Sequence, residues 1–543
     1  MLQPLAFKFG DWKPDVPPLA NIAFPAQTEA YFNGGTVPLV TAQNCYYRAT
    51  GYRPYLPLAP ISNALGAACI GAIGVYDTNG ALQIFSGTAN DLYKLSGTSW
   101  TKVSRITPAW AASTSYSSGN LIVDSNGNLQ KCTTAGTSGS PSHPSWNQTV
   151  GGTTTDNTVT WTLLNLGAYQ TATNLSFQQF GNCLDVTNGI DVMQTIDVTS
   201  GTNFAALDTT STDLIPIPQV LGVIRDFLFA GNTNDSTNGV VPYRVQWSAL
   251  NLDGSWPVPS TQNAFAFQSG AQTLYSEYGP VQAIGDNETF GIIFQATGIV
   301  RVEYVGGSVV FNFYTYEKKR GAVGPNAVVR CGDKYYFLAS DGFCATDGSS
   351  VENIGYGKIN DWFFSNAKAS TLSTVCGCLD TVNKLIIWAY ESASGSALDS
   401  LIIYNYEEGF FTYCSQNCER LFSVLSGEAW ISAGVDSSHK YGQFTGTAAT
   451  TTITTQDFQI NQGGRAFVNG VRPLLDGTAS AAVGTRTNLS SSSTLGSYVA
   501  QETRSNISPQ RADSMYHRIS IQTSGSYTDA IGFTCFQKPS GQY

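Results

Sequence analysis

Few side chains in this sequence have the types and spacing that catalysis requires. The three histidines are each isolated from a second base or metal ligand: His143, His439 and His517. The nucleophile motif G-x-S-x-G, the zinc-protease motif H-E-x-x-H and the phosphate-binding motif G-x-x-x-x-G-K-[ST] do not occur. Several carboxylates lie at turn positions, where they also bond the local backbone: Asp341, Asp347, Asp361, Glu407 and Glu408. The sequence therefore predicts a protein that is not an enzyme, with no catalytic residues and no cofactor.

The cysteines offer one further candidate for chemistry. Cys376-Gly-Cys378 and Cys414-x-x-x-Cys418 have the spacing of two halves of a zinc site. However, Cys376 and Cys378 lie in a strand-like run, and the total of 11 cysteines is odd and spread along the chain. A small disulfide framework is therefore not indicated. We expect buried thiols and no metal site.

Charge is scarce and its balance is acidic. Of 543 residues, 28 are Lys or Arg and 38 are Asp or Glu, which gives 12% charged residues and a formal net charge of −10. Proteins that hold nucleic acid neutralise its phosphates with Lys and Arg, so this balance argues against that class. The first residues, MLQPLAFKFG, lack the pattern of a signal peptide, and no run of about 18 apolar residues occurs. We expect neither signal-peptide export nor a membrane span.

One strand pattern recurs along the chain: an apolar strand, a turn rich in Gly, Asn or Asp, and further strands that carry aromatic residues. Copies begin at Leu82, Cys183, Asp226, Thr289, Lys334, Lys384 and Ala429. After a first interval of 101 residues, the intervals are 43, 63, 45, 50 and 45 residues, and a four-stranded propeller blade has about 40 to 50. Because a ring of small sheets buries faces that one sheet cannot, the pattern predicts an all-β fold with a β-propeller body of six or seven blades. An irregular assembly of β-sandwiches or barrels remains the alternative.

Composition divides the rest of the chain. Residues 1–60 are rich in proline and aromatic residues, which disfavour helix and central strand and predict an extended N-terminal arm. Residues 61–107 and 166–446 hold the propeller, and the long first interval indicates an inserted β-module at residues 108–165. Residues 447–543 lose the repeat, and their alternation of apolar and polar residues predicts a C-terminal β-domain.

The insert holds three tryptophans and almost no charge. Its order of residues, Trp110-x5-Tyr116, then Pro144-x-Trp146, then Trp161-Thr, resembles small carbohydrate-binding modules related to the chitin-binding domains of bacterial chitinases. The resemblance implies that exposed aromatic rings stack on sugar faces. Its candidate carbohydrate-binding residues are Trp110, Tyr116, Trp146 and Trp161. The alternative is that the rings form the core of a small domain; Trp110 and Trp161 fit the core better, whereas the other two fit the exposed surface.

A second local resemblance lies in the repeats. Asn251-Leu-Asp253-Gly254-Ser-Trp256 resembles the Asp-box turn of sialidase propellers, in which Asp and Gly close a hairpin and Trp packs beneath it. That turn is structural even in the enzymes. It supports a propeller-like hairpin and leaves a glycan hydrolase only as an alternative.

Motifs outside the insert occur in a distinctive order: Phe9–Leu19 (FGDWKPDVPPL), Gly51–Pro57 (GYRPYLP), Phe85–Leu95 (FSGTANDLYKL), Trp247-Ser-Ala, Val471–Leu474 (VRPL) and Tyr516–Arg518 (YHR). This order resembles the tail nozzle proteins of short-tailed bacteriophages, also described as packaged-DNA stabilisation or head-to-tail stabilising proteins. The resemblance implies a virion structural protein that assembles as a ring, commonly a hexamer, below the portal and adaptor. Such a ring retains packaged DNA and conducts it during ejection. The insert departs from the simplest pattern of that family and implies a contact with host surface glycans.

That resemblance sets the expected partners and location. The partners are further copies of the chain, adaptor or portal-side tail proteins, tail fibres or spikes, host glycans, and double-stranded DNA that passes through the lumen without specific binding. The expected location is the virion tail, after assembly in the host cytoplasm. A lumen poor in cations suits this role, because it avoids phosphate contacts that would hold the DNA. Besides the glycan hydrolase, the alternative is a carbohydrate-binding receptor-recognition protein of the tail.

Overall fold

The computed structural model describes residues 3–17, 34–207, 213–286, 289–461, 463–523 and 527–541. The fold is all-β, as the sequence predicts. Within the described ranges, the α-helices are two short segments, α1 (Gln262–Phe267) and α2 (Asn360–Asn366). None of the helices found in these ranges has the length and apolar character that crossing a membrane requires.

The strands fall into five groups along the chain. The N-terminal strands are β1 (Gln3–Trp12), β2 (Gly35–Gln43), β3 (Cys45–Arg48), β4 (Gly51–Pro54) and β5 (Ala59–Ala64). They are followed by β6 (Gly71–Tyr76), β7 (Leu82–Gly87), β8 (Leu92–Ser96) and β9 (Ser99–Lys102). The insert contains β10 (Ser115–Tyr116), β11 (Leu121–Val123), β12 (Leu129–Thr134), β13 (Gly136–Thr137), β14 (Thr153–Asp156) and β15 (Val159–Asn165).

The fourth group is the longest. Its first strands are β16 (Ser176–Phe180), β17 (Cys183–Thr187), β18 (Gln194–Asp197), β19 (Ala205–Ala206), β20 (Ile217–Ile224), β21 (Phe227–Asp235), β22 (Gly239–Trp247) and β23 (Gly270–Thr273). It continues with β24 (Val281–Asp286), β25 (Gly291–Gln295), β26 (Ile299–Gly306), β27 (Val310–Glu317), β28 (Val328–Cys331), β29 (Lys334–Ala339), β30 (Gly342–Thr346) and β31 (Val351–Asn353). It ends with β32 (Cys376–Asp380), β33 (Leu385–Tyr390), β34 (Ser400–Asn405), β35 (Phe410–Ser415), β36 (Arg420–Ser426), β37 (Ala429–Val435) and β38 (Lys440–Gln443).

The C-terminal group completes the chain. Its strands are β39 (Thr451–Thr455), β40 (Arg465–Leu475), β41 (Ala479–Arg486), β42 (Thr494–Leu495), β43 (Val499–Ala500), β44 (Ser508–Ser514), β45 (Tyr516–Thr523) and β46 (Ala530–Gly541).

Seven four-stranded units carry the repeats found in the sequence. β6–β9, β16–β19, β20–β23, β24–β27 and β28–β31 each form a separate antiparallel sheet, β36–β38 form another with β5, and β32–β35 form a section of a larger sheet. Each repeat begins at or within two residues of the second strand of a unit; Leu82 begins β7, Cys183 begins β17 and Lys334 begins β29. The second strands are easiest to detect because they begin with or contain apolar runs, as in β33 (LIIWAY), where every residue is buried between two packed faces.

Successive units pack face to face, and the first packs against the last. β6 contacts β16 on one side and β36 on the other. Phe294 of β25 and Phe337 of β29 meet with ring centroids 5.1 Å apart. At Gly222 of β20, an added Cβ would lie 2.6 Å from Cβ of Ile284 on β24, so glycine permits this close approach. The seven units therefore form a continuous cycle of contacts.

β5 belongs to the last unit of this cycle rather than to an arm. It pairs antiparallel with β38, with Pro60 opposite Gly442 and Ala59 opposite Gln443. β5 is an edge strand, where the missing N–H of proline removes no ladder bond. Proline in this segment is therefore compatible with a strand that joins the two ends of the repeat region.

The prediction of an extended N-terminal arm is wrong for the described residues before β5, because their strands belong to a large sheet. β1 pairs with β46, with Phe7 opposite Phe533, and also pairs with β2 from Phe7 onward. β1–β4 thus join β39–β46 in a 16-stranded sheet that also includes β32–β35. The prolines fit because Pro4 precedes the part of β1 that pairs on both sides, and Pro38 lies at a register shift of β2. Residues 18–33 of the expected arm lie outside the described residues.

Candidate binding sites

The insert is built around one central strand. β15 pairs with β12 on one side and β14 on the other, so Trp161 lies opposite both Cys132 and Thr154. β11 completes this sheet, and β10 pairs with β13 beside it. Trp161 is fully buried (0% exposed), which excludes the stacking of its ring on a sugar in this conformation.

Asp156 ties the aromatic residues of the insert together. Its Oδ2 accepts hydrogen bonds from Nε1 of Trp110 at 2.7 Å and from Nε1 of Trp161 at 3.1 Å, while its Oδ1 accepts from the Gly139 N–H at 2.8 Å. These bonds let two indoles pack inward without a buried, unsatisfied N–H. The Asp156 carboxylate thereby holds both Trp110, near the start of the insert, and Trp161, near its end.

The other two candidate aromatic residues also join this core. Trp146 is only 8% exposed, with its ring 6.1 Å from that of Trp161, so the expectation of an exposed Trp146 is wrong. Tyr116 is half-buried, 4.8 Å from Trp161, and its hydroxyl accepts a hydrogen bond from the Ala111 N–H at 2.9 Å. The reason is size: a domain of this length has few other large apolar side chains from which to build a core. The four residues are brought together as a hydrophobic cluster, not as an open platform.

A cleft lies where the insert meets the unit β6–β9. It has a volume of about 570 Å³ and is lined on the insert side by Trp110, His143 and Asn126, and on the other side by Lys102 and Asn203. The His143 side chain is exposed, and its ring lies 6.2 Å from that of Trp110. In the sequence, His143 stands isolated from other candidate residues. The cleft could not be predicted, because Lys102, His143 and Asn203 are brought together only by the fold.

A second cavity lies on the axis of the cycle of sheets. Its volume is about 600 Å³, and its lining includes residues from the first strand of every unit: β6, β16, β20, β24, β28, β32 and β36. The lining includes two arginines, Arg330 and Arg420, and no Asp or Glu among the described residues that contribute to it. The sequence repeats did not predict this cavity, because each repeat begins near the second strand of a unit, whereas the first strands line the cavity.

A polar cluster adjoins this cavity, and two of its residues, Arg420 and Asn326, also line the cavity. Nη2 of Arg420 donates to the Ile70 carbonyl at 2.7 Å and to Oδ1 of Asn174 at 2.5 Å. The side-chain amides of Asn174 and Asn326 lie 2.9 Å apart. Ile70, Asn174 and Asn326 each precede the first strand of a different unit, so the cluster joins four units across the axis. We call these four residues the axial plug.

The cysteines that suggested a zinc site form an apolar cluster instead. Cys376, Cys378, Cys414 and Cys418 are all buried and pack with side chains such as Leu385 and Ile387. Burial raises the pKa of each thiol above its ordinary value. Across the described ranges, no group of three or more His, Cys, Asp or Glu residues is arranged to hold a metal ion.

The remaining candidates for chemistry have local structural partners. His439 Nδ1 lies 2.6 Å from Oε1 of Glu419. Asp347 caps its own turn, where the Ser349 hydroxyl and N–H hold the pKa of the carboxyl down to about 2. Asp341 pairs with Arg320 at 2.7 Å. None of these pairs is among the residues that line the two sites described above.

Similarity to known proteins is found among solved structures. No protein-family profile and no curated protein matches the chain. Among solved structures, the chain is similar to a fungal alcohol oxidase of the AA5 family in complex with copper, at 10% identity and a TM-score of 0.33, over 79% of this chain and 99% of that one. Because this neighbour is an enzyme, the prediction that the chain is not an enzyme is contradicted and is withdrawn. At this TM-score, the likeness assigns neither a fold nor an activity to the chain.

Proposed function

We propose that the seven four-stranded units are the blades of a seven-bladed β-propeller. Three observations support it: the first unit contacts the last, every first strand contributes to one axial cavity, and β5 completes the last sheet with a strand from the N-terminal side. In a propeller, such a shared sheet holds the ring closed. The sequence repeats have the matching number and spacing.

On this body we propose the function of a ring-forming tail nozzle that retains and then conducts packaged phage DNA. The observation that carries the proposal is the cycle of seven sheets joined to a second β-domain, which agrees with the repeat body and C-terminal β-domain that the sequence predicts for this nozzle-like chain. The axial plug joins four units across the axis of each chain. The DNA path would therefore lie between copies of the chain and not through the axis of one copy.

An exposed apolar surface supports assembly into a ring. Phe265 and Phe267 of α1 and Tyr314 of β27 are exposed. α1 belongs to the unit β20–β23 and β27 to the next unit, β24–β27. A hydrogen bond connects these two units, in which the Tyr304 hydroxyl donates to Oε1 of Gln268 at 2.6 Å. Exposed aromatic side chains of this kind are enriched in subunit interfaces. We assign this surface to contact with a second copy of the chain.

Imaging and mass measurement test the nozzle. Negative-stain microscopy of the purified chain should show rings with a central pore, and light scattering should give a multiple of the 58.0 kDa chain mass, with six copies expected. The double substitution Phe267→Ser and Tyr314→Ser should yield monomers. The control Tyr356→Ser, which alters a side chain that is 82% exposed elsewhere on the repeat region, should leave the rings intact. A wild-type chain that stays a single particle without a pore would contradict the proposal.

The cleft beside the insert favours glycan binding as a second function. Sugar sites combine an aromatic wall with a few polar groups, and the cleft offers the Trp110 and His143 rings opposite Lys102 and Asn203. We propose that this cleft, rather than the buried aromatic core, contacts host surface glycans. In a glycan array, His143→Ala should reduce binding at least fivefold. Val150→Ala, an exposed position of the insert outside the cleft, should not change it; equal binding by both variants would refute the site.

A further inference from the structure

The axial cavity has a charge character opposite to that of the whole chain. The chain carries a formal net charge of −10, yet the charged side chains among the lining residues are Arg330 and Arg420. A cavity lined by cations and neutral groups has a positive potential, which low-dielectric walls focus inward. This contrast sets the axial cavity apart from the rest of the acidic protein.

Arg420 is more than nine-tenths buried and is held by neutral acceptors. Its guanidinium bonds the Ile70 carbonyl and Oδ1 of Asn174, and it lies within 3.1 Å of the Asn326 amide. No ion pair within the described part of the chain includes Arg420. The adjacent Glu419 instead meets His439 at 2.6 Å and accepts a bond from the Cys69 N–H at 2.8 Å. A buried cation without a close counter-charge is costly, so an anion that enters the cavity gains from meeting it.

Two serine hydroxyls that line the cavity can each donate a hydrogen bond. Oγ of Ser176 accepts from the Leu221 N–H at 3.0 Å, and Oγ of Ser423 accepts from the Leu379 N–H at 2.7 Å. Because each oxygen already serves as an acceptor of a backbone N–H, its own O–H is directed to another partner. Both serines line the cavity.

Arg330 supplies a second cation to the lining of the cavity. It lies on β28, four residues after Asn326 of the axial plug. Its side chain is exposed, and its Nε donates to the Gly332 carbonyl at 3.0 Å, which leaves the terminal nitrogens toward solvent and cavity. The guanidinium fork suits the paired oxygens of phosphate or carboxylate.

We propose that the axial cavity is a binding site for a small oxyanion, recognised by Arg420 of the axial plug and by Arg330 of β28. The site would take a phosphate or carboxylate group, and its volume of about 600 Å³ leaves room for a small organic anion that carries one. This inference stands apart from the nozzle proposal, since it depends on one chain and not on ring assembly.

Calorimetric titration tests the site. Inorganic phosphate and succinate are titrated separately into the full-length chain at constant ionic strength, and binding of either at one site per chain is expected. Arg330→Gln, an exposed position outside the axial plug, should weaken that binding at least fivefold. Arg504→Gln, which removes the same charge from an exposed position of the C-terminal strands, should leave it unchanged.

The two probes and a second variant make the outcome decisive. Tighter binding of phosphate than of succinate would assign the site to phosphate, and the reverse order would assign it to carboxylate. Arg420→Lys keeps the charge but loses the planar fork, and it should weaken binding at least tenfold in a chain that still gives the wild-type near-ultraviolet circular dichroism spectrum. Absence of binding by the wild type, or equal loss in Arg330→Gln and Arg504→Gln, would overturn the proposal. Loss of the anion with intact rings would leave the nozzle proposal standing.

Discussion

Asn174 and Asn326 are 152 residues apart in the chain, yet their side-chain amides lie 2.9 Å apart on the axis of the seven sheets. Asn174 precedes the second unit of the cycle, and Asn326 precedes the fifth. Two units, β20–β23 and β24–β27, lie between them along the chain, so this contact joins units that are not neighbours in the cycle. Arg420 joins them from the last unit.

This axial contact should contribute measurably to stability. Asn326→Ala removes an amide within 3.1 Å of the Arg420 guanidinium and leaves polar groups without their partner. A lost partner of this kind costs about 1–3 kcal/mol. Scanning calorimetry should show a lower transition temperature, whereas Asn79→Ala in an exposed turn should not change it. An unchanged transition in Asn326→Ala would show that the axial plug carries no stabilising energy.

His517 should make the C-terminal strands sensitive to acid. It is 0% exposed on β45, and burial lowers its pKa from 6.5 to about 4. The unfolded chain therefore binds a proton below about pH 6.5 that the folded chain refuses, so stability is full above that pH and falls as the pH drops toward 4. The free energy of unfolding should decrease by about 1.4 kcal/mol per pH unit in this window.

The measurement is the transition temperature at pH 7 and pH 5. His517→Leu should flatten its dependence on pH, because the group that titrates differently in the two states is gone. Val150→Leu, at an exposed position of the insert, should keep the wild-type dependence. Identical pH profiles for His517→Leu and the wild type would contradict the assignment.

Two buried aspartates should respond to neutralisation with opposite signs. Burial raises the pKa of Asp185 well above its ordinary value, and the nearby Asp253 carboxyl adds to the effect. The contribution of Asp185 to stability is therefore present below about pH 3.8 and is lost as the pH rises toward its raised folded pKa. Asp185→Asn should raise the free energy of unfolding at pH 7 more than at pH 4, as measured by denaturant titration.

Asp235 is the matched control. Burial acts to raise the pKa of its carboxyl, but bonds from Asn238, the Thr237 N–H and the Arg244 guanidinium at 2.7 Å outweigh it, so the pKa is lowered. Its contribution is present above the ordinary pKa and is lost as the pH falls through the lowered one. Asp235→Asn should therefore destabilise the chain at pH 7 and leave Arg244 without its buried partner. Stabilisation by both substitutions would refute this account.

Deletion tests whether the insert, residues 108–165, is a separable module. The flanking residues already meet: Nε of Arg105 donates to the Ala168 carbonyl at 3.1 Å, and the Arg105 N–H donates to the Tyr169 hydroxyl at 2.9 Å. Replacement of the insert by a short Gly/Ser link should give a soluble, cooperatively folding chain. The cost should be about 2 kcal/mol, since Val123 of the insert is buried against the unit β6–β9.

The circular dichroism spectrum and the thermal transition report the result. A cooperative transition within a few degrees of the wild type is expected, together with rings of unchanged size if the nozzle proposal holds. A deletion variant that is insoluble or melts without a cooperative transition would show that the insert is part of the main core.

The sequence alone predicted the all-β class and seven copies of a repeat, while it left the number of blades at six or seven. Runs such as Leu385–Tyr390 are visible because a strand packed on both faces is apolar along most of its length. The seven copies of the repeat begin at or within two residues of the seven second strands. First strands such as SFQQF (β16) and VQAIGD (β24) contain more polar residues and glycine, so they show this apolar signal less. The candidate aromatic residues of the insert were also predicted from the sequence, because their order and spacing form a local pattern.

Tertiary structure alone decided which of these residues face solvent and which distant segments pair. Trp146 is buried because it packs with Trp161 and Val159 in the hydrophobic cluster of the insert, which spacing cannot reveal. The proline-rich N-terminal segment became strand because β46 and β38 present unpaired edges to it. The axial cavity, its two arginines and the Asn174–Asn326 contact arise where the first strands of the seven units meet, which brings together residues that no local pattern connects.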